Sequence, residues 1–459
     1  PHTHPTPAMI SRRSAVMLLA LLAACGGDEA AAPPPPAPVA TVAITGLPDS
    51  ANTGEVIALS AATRDAAGNA LTGRTVTWTV SDTLAATVAA TGALTIVGHG
   101  PFTVTATSEG KSGSASGRGI LTRAANRFAY AQITQTATSA TASASYNATG
   151  GSVRATTNGA GDAIVTLERL GRAESTWRET VMITRTGSLA TTCHLNGWAT
   201  AANRRDLEVS VACYATDRSR VPGTFAILVF GNGALEGRHS FVESTDAAAT
   251  HAADPAKSFN SAGNAMTITR QSAGLYSVTV GNPRSAGKTE NYFVTTVGPA
   301  AASCNLAGWN VGTSSSVECY AFGAARTDAR FVMQLVEGGR AGRRWAYGWN
   351  DNVNGALGSE IAVSPSWAGS SNGQMPHVTR VQVNGVTQGV YDVRFPGLGA
   401  LAAATHNIQV SPYSSGVVTC VPTTTGTATA GADLLVRVEC FNRYSFAPTN
   451  AYFTILVIE

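Results

Sequence analysis

The run Cys304-Asn-Leu-Ala-Gly-Trp309 is followed by a polar stretch, by Val317-Glu-Cys-Tyr320, by a turn, and by Arg330-Phe-Val-Met-Gln-Leu-Val336. The same order of pieces stands upstream as Cys193-His-Leu-Asn-Gly-Trp198, Val211-Ala-Cys-Tyr214 and Thr224-Phe-Ala-Ile-Leu-Val229. It returns downstream as Cys420, a Thr/Gly/Ala run, Val438-Glu-Cys-Phe441 and Tyr452-Phe-Thr-Ile-Leu-Val457. One unit is therefore written three times. Its first strands align as Arg127-Phe-Ala-Tyr-Ala-Gln132, Arg238-His-Ser-Phe-Val-Glu243 and Arg344-Trp-Ala-Tyr-Gly-Trp349. Its middle strands align as Gly161–Leu167, Gly274–Val280 and Gly389–Phe395. A period of about 110 residues is too long for a solenoid repeat or a propeller blade and suits a sandwich of about seven strands. Units are expected over 127–231, 238–337 and 344–459. The connections between them are so short that neighbours are expected either to share a sheet or to pack end to end.

The repeat sorts the seven cysteines. Six make one pair per unit: Cys193 with Cys213, Cys304 with Cys319, and Cys420 with Cys440. Paired cysteines in strand-rich units point to disulfides and to an oxidising compartment. A zinc site is disfavoured, because no histidine or second cysteine pair recurs with them. Glycine is abundant at 47 residues, and short period-two apolar runs alternate with turns, so the expected class is all-β. Charged residues are 13 % of the chain and the formal net charge is +3, with no basic stripe, which argues against a nucleic-acid partner. Much of the apolar content is alanine, so each core should be thin.

The seventh cysteine, Cys25, has its own context. Residues 1–8 precede the first Met and carry no pattern; Met9 is read as the start of the natural chain. A charged Ser-Arg-Arg-Ser is followed by the short apolar run Ala15–Ala24, and then by Cys25-Gly-Gly. Leu22-Ala23-Ala24-Cys25 resembles the lipobox of bacterial lipoproteins. That resemblance implies cleavage before Cys25, a diacylglycerol on its thiol, and attachment to a membrane through the lipid. Gly26 in place of Asp implies, by the same resemblance, the outer membrane or cell surface. Residues 26–38 hold a proline run that favours an extended, semi-rigid tether.

Residues 39–122 alternate with period two between Gly/Asp/Asn turns, as a small antiparallel sandwich would. Asp65-Ala-Ala-Gly-Asn69, Val76-Thr-Trp78, Ser81-Asp82, Ala86-Thr-Val88, Gly92-Ala-Leu94 and Thr103-Val-Thr-Ala-Thr107 resemble the intimin/invasin-type (group 2) bacterial immunoglobulin-like domain. In that family the domain mostly spaces or presents other domains; Trp78 is expected in its core. The three repeats resemble, loosely, tandem β modules of secreted bacterial proteins, which adds context and no mechanism.

Catalytic signals are weak. Gly369-Ser-Ser371-Asn-Gly373 matches G-x-S-x-G, but in a Ser/Gly/Asn loop with no helix after it, where a nucleophile elbow cannot form. His194, His377 and His406 have no counterparts in the other units. Asp351-Asn-Val-Asn354-Gly355 lacks the spacing and terminal Glu of a calcium loop. No metal cluster or cofactor motif stands out, and no reaction is expected. Trp198 and Trp309 follow their cysteines at one spacing and read as core beside the disulfide. One aligned position is different: Gln132, Glu243 and Trp349 share a place at a strand end. Trp349, with Asn350 and Asp351 beside it, is the candidate platform for a sugar ring or a protein partner. The competing reading has Trp349 filling the space left where unit 3 lacks a Trp after Cys420. The sequence thus predicts an exported, non-enzymatic binding, adhesion or stalk protein. The alternative is a carbohydrate-binding or weakly hydrolytic protein of the cell envelope.

Overall fold

The computed structural model describes residues 35–459 apart from 121–126, 173–176, 188–190, 283–288, 299–301, 322–324, 425 and 429–431. Cys25 and most of the proline tether lie outside the described residues. Among those described the chain is all-β, with no α-helix and a single 3-10 turn at Gly399–Ala403.

Residues 41–120 form a small sandwich of short strands. Its longest hairpin, Gly100–Ser108 with Lys111–Ile120, pairs antiparallel. Leu59, Leu94, Ile96, Phe102 and Val104 fill the core, with Trp78 half-buried against them. Gly92 takes φ +83°, and a Cβ there would stand 2.8 Å from the Leu59 carbonyl oxygen, so the turn under the Trp78 ring requires glycine.

The three repeats each supply eight main strands. Unit 1 has β1 (Phe128–Gln135), β2 (Ala140–Asn147), β3 (Val153–Thr157), β4 (Ala163–Leu167), β5 (Glu179–Thr186), β6 (Thr191–Thr200), β7 (Leu207–Ala215) and β8 (Thr224–Gly231). Unit 2 has β9 (His239–Glu243), β10 (Ser258–Asn260), β11 (Thr267–Ser272), β12 (Leu275–Thr279), β13 (Asn291–Val297), β14 (Ala302–Asn310), β15 (Ser314–Ala321) and β16 (Arg330–Val336). Unit 3 has β17 (Trp345–Asn350), β18 (Gly369–Ser370), β19 (His377–Arg380), β20 (Val390–Phe395), β21 (Asn407–Tyr413), β22 (Val418–Pro422), β23 (Leu434–Asn442) and β24 (Tyr452–Ile458). In every unit the second, first, eighth and fifth strands make one sheet, and the third, fourth, seventh and sixth make the other. The disulfides Cys193–Cys213, Cys304–Cys319 and Cys420–Cys440 each join the sixth and seventh strands at directly opposed positions.

The units are not beads. Each has its own core between its two sheets. A fourth core draws on all three: Phe128, Tyr130 and Phe230 from unit 1, Phe241, Phe293 and Val336 from unit 2, and Tyr347, Leu456 and Ile458 from unit 3. The first sheet of each unit is therefore covered on both faces. This explains why β8, β16 and β24 read as nearly continuous apolar runs rather than alternating ones. At about 1.5–3 kcal/mol per large apolar side chain, pulling the units apart would expose on the order of 15–25 kcal/mol of burial.

The fifth strands, β5, β13 and β21, meet around a pseudo-threefold axis. Each is the outer strand of its own unit's four and so turns backbone groups toward the neighbouring unit. The neighbouring unit satisfies them in a cycle. Thr295 Oγ1 accepts from Ile183 N at 3.4 Å, Ser411 Oγ accepts from Val294 N at 3.2 Å, and Thr184 Oγ1 accepts from Val410 N at 2.9 Å. Two seams also share sheets through parallel bridges, Leu195 with Val297 and Leu306 with Tyr413. At the third seam the equivalent residue is Pro422. Among the described residues no backbone ladder joins β22 to β5 there, and a cavity of about 460 Å³ opens instead.

The arginines that open each unit are structural anchors. Arg127 pairs with Glu179 at 2.9 Å, both side chains buried; Arg238 pairs with Glu290 and Glu337; Arg344 pairs with Glu459. The N-terminal sandwich touches unit 1 through an Asp82–Arg204 ion pair.

Candidate functional site

The aligned position Gln132/Glu243/Trp349 lies in the three seams between units, and each seam has a different chemistry. Between units 1 and 2, Glu243 is buried and pairs with Lys257 at 3.1 Å and with Arg330, beside Trp198, in a cavity of about 370 Å³. Between units 3 and 1, Gln132 donates to Thr186 Oγ1 at 2.5 Å on the wall of the large cavity, which His406, Thr423 and Thr424 also line. Between units 2 and 3 the seam is aromatic.

Trp349 is half-buried at the centre of that third group. Its ring stacks on Tyr452 at 5.6 Å and meets Trp309 at 5.6 Å, Tyr413 at 5.3 Å and Trp367 at 6.1 Å edge to face. Trp309 in turn touches Tyr292, Trp367 and Tyr413. A register shift between Leu306 and Gly308 in β14, matched by one between Leu195 and Gly197 in β6, aims the Trp after each first cysteine toward the seam. Trp198 and Trp309 are accordingly half-buried at the edge of their unit cores, rather than deep beside the disulfide. The Trp349 indole N–H is buried without a partner. Tyr452, 39 % exposed, is the outward face of the cluster. Burial pushes the Tyr413 phenol up, so it stays protonated and can donate a hydrogen bond throughout the physiological range.

The two candidate residues beside Trp349 separate. Strand alternation turns Asn350 to the opposite face of β17. It is buried, donates to the Ala451 carbonyl oxygen at 3.2 Å and accepts from Asn352 N at 3.0 Å, so its amide holds the turn and offers nothing outward. Asp351 is exposed. The expectation that Asn350 flanks a ligand is thus replaced by a structural role. Most of the residues that accompany Trp349 carry no local signal of that role. Tyr413 stands where the other units have Thr186 and Val297, and Tyr452 stands where they have Thr224 and Arg330. Co-location of such unit-specific aromatics was the available signal, but it needs the ring arrangement to be read. Trp367 sits in the segment that joins β17 to β18.

Ser371 of the G-x-S-x-G match sits in a turn, where its Oγ accepts from Trp345 N at 3.1 Å. No strand-to-helix elbow forms. His194 is fully buried beside Tyr214, and burial drops its pKa to about 3, so it is neutral. Among the described residues no helix is long and apolar enough to cross a membrane, and no group of three or more metal-ligating side chains is present.

No protein-family model matches the chain, and no curated protein matches it. Solved structures that match include the surface-layer protein rSbsC(31-844), at 12 % identity and TM-score 0.16, covering 64 % of this chain and 39 % of that one. Domains 1–6 of surface layer protein SbsC match at 12 % identity and TM-score 0.14, covering 87 % of this chain and 49 % of that one. This chain spans less than half of either.

Proposed function

We propose that this chain is a non-enzymatic, surface-displayed binding module. Cys25 carries its lipid anchor in the outer membrane, the proline tether and N-terminal sandwich hold it off the surface, and the three-unit head presents the ligand site. The observation that supports binding is the aromatic seam between units 2 and 3. Trp309, Trp349, Trp367, Tyr413 and Tyr452 form one contiguous, partly exposed cluster held between two rigid sandwiches. Flat aromatic faces at a pre-formed surface bind sugar rings or apolar side chains at small entropic cost. Carbohydrate is the ligand class we favour, with exposed Asp351 supplying an acceptor for hydroxyls.

The test separates binding from packing. Tyr452→Ala removes the exposed ring, while Trp349→Gln removes the central one. Screened against a glycan panel and intact cells, the Tyr452 variant is expected to lose binding at least tenfold with its melting temperature within about 2 °C of wild type. A wild-type chain that binds no glycan and no cell, or a Tyr452→Ala variant that binds as wild type does, refutes the reading.

A further inference from the structure

At one end of the pseudo-threefold axis the three units line a second feature. A cavity of about 60 Å³ is lined by equivalent pieces of each, including the first cysteine of all three disulfides. That volume holds several waters or one small polyatomic ion. The symmetry of its wall is broken by charge. Arg185 of β5 stands where units 2 and 3 have Thr296 and Pro412. Arg443, just after β23, stands where unit 1 has Thr216.

Both arginines line the cavity and both are buried, 7 % and 4 % exposed. Among the described residues neither makes an ion pair, whereas the third buried arginine, Arg127, is paired with Glu179. Their remaining contacts are neutral. Arg185 donates to the Thr191 carbonyl oxygen and lies 5.1 Å over the Phe441 ring; Arg443 reaches the Val418 carbonyl oxygen at 3.4 Å. Arg185 Nε and Nη2 and Arg443 Nε have no partner, and neither does the buried Thr192 Oγ1 on the same wall. Two buried cations that repel each other across a polar cavity are unstable unless an anion joins them. Burial and that mutual repulsion lower the Arg185 pKa to about 9, still above neutrality, and burial lowers that of Arg443 to about 10.

We propose that this cavity is an oxyanion site, in which a free tetrahedral anion of the phosphate or sulfate type sits between Arg185 and Arg443. Apart from Asn305 Oδ1, an acceptor on the same wall, the unmet groups can all donate, and an acceptor-only ion matches them. A volume of about 60 Å³ between the two guanidinium groups fits one such ion. A bound anion would tie β5 of unit 1 to the end of β23 in unit 3, across the seam where, among the described residues, no backbone bridge forms.

The experiment uses the full chain, dialysed free of phosphate and sulfate. Melting temperature is followed against sodium phosphate, and separately sodium sulfate, each at ionic strength matched with sodium chloride. A saturable rise of about 3 °C over chloride is expected, with one ion bound per chain by calorimetry. Arg185→Met and Arg443→Met should each abolish that rise. Equal melting in phosphate, sulfate and chloride overturns the site, and so does a rise that persists in either variant. Should an arginine variant fail to fold, Thr192→Val keeps both cations and is read instead. A phosphate Kd raised about tenfold then supports the site, and an unchanged Kd overturns it.

Discussion

Replacing Thr184 by Val tests whether the cycle of hydroxyls around the axis holds the three units together. Valine keeps the shape of threonine, so the packing of β5 is conserved and only hydrogen bonds are lost. Thr184 is 4 % exposed. Its Oγ1 accepts from Val410 N at 2.9 Å and donates to Gln409 Oε1 at 2.8 Å, both in unit 3. The Val410 N–H points away from β24, toward the axis, and has no ladder partner on that edge. The change therefore strands a buried donor and a buried acceptor. Each orphaned group costs about 1–3 kcal/mol, so a loss of about 2–6 kcal/mol is expected. Urea unfolding followed by tryptophan fluorescence should show a lower midpoint with the slope unchanged. The exposed Thr279→Val on β12 is the control and should stay within about 0.5 kcal/mol of wild type. If Thr184→Val is indistinguishable from that control, the hydroxyl cycle does not hold the seams. The fourth core alone would then account for the assembly.

Further predictions follow from the same geometry. Mass mapping of non-reduced protein should recover the links Cys193–Cys213, Cys304–Cys319 and Cys420–Cys440, and replacing the second pair, which spans 15 residues, by Ser should cost about 3 kcal/mol in urea unfolding. Arg127→Met leaves Glu179 buried beside the half-exposed Arg172 alone, and a loss of about 3–5 kcal/mol is expected; a loss under about 1 kcal/mol would show that Arg172 suffices. His194 is held neutral down to about pH 3 when folded, whereas the unfolded side chain takes up a proton near its ordinary value of 6.5. The unfolded state thus binds more protons over that window, so stability is full above pH 6.5 and falls as the pH drops, by about 2 kcal/mol at pH 5. His194→Asn, the residue unit 2 carries at this position, should remove that part of the acid sensitivity; identical pH profiles for the two proteins would contradict it.

Much of this molecule was legible from its residues. Alternation and turns specify strands because a pleated chain presents every second side chain to one face. The repeated cysteine segments specify three equivalent hairpins, since opposed residues on neighbouring strands are close enough for a disulfide. The aligned positions Phe128/His239/Trp345 and Tyr130/Phe241/Tyr347 are mostly aromatic in every unit, as packing positions are, and the structure turns them to a core. That core belongs to all three units at once, which only the tertiary structure decided, because a local pattern records that a side chain is buried and not what buries it. The same limit applies to Trp349. Its departure from Gln132 and Glu243 was visible in the alignment. Its neighbours Trp309, Trp367, Tyr413 and Tyr452 come together only when unit 3 closes against unit 2. Arg185 and Arg443 are the extreme case: they lie 258 residues apart in sequence, differing in number from 185 to 443. Each looks like an ordinary surface cation in its own segment. The ring of three units brings them to one cavity and buries them, because the cycle closes around the edges of the fifth strands, a long-range geometry with no local signature in the chain.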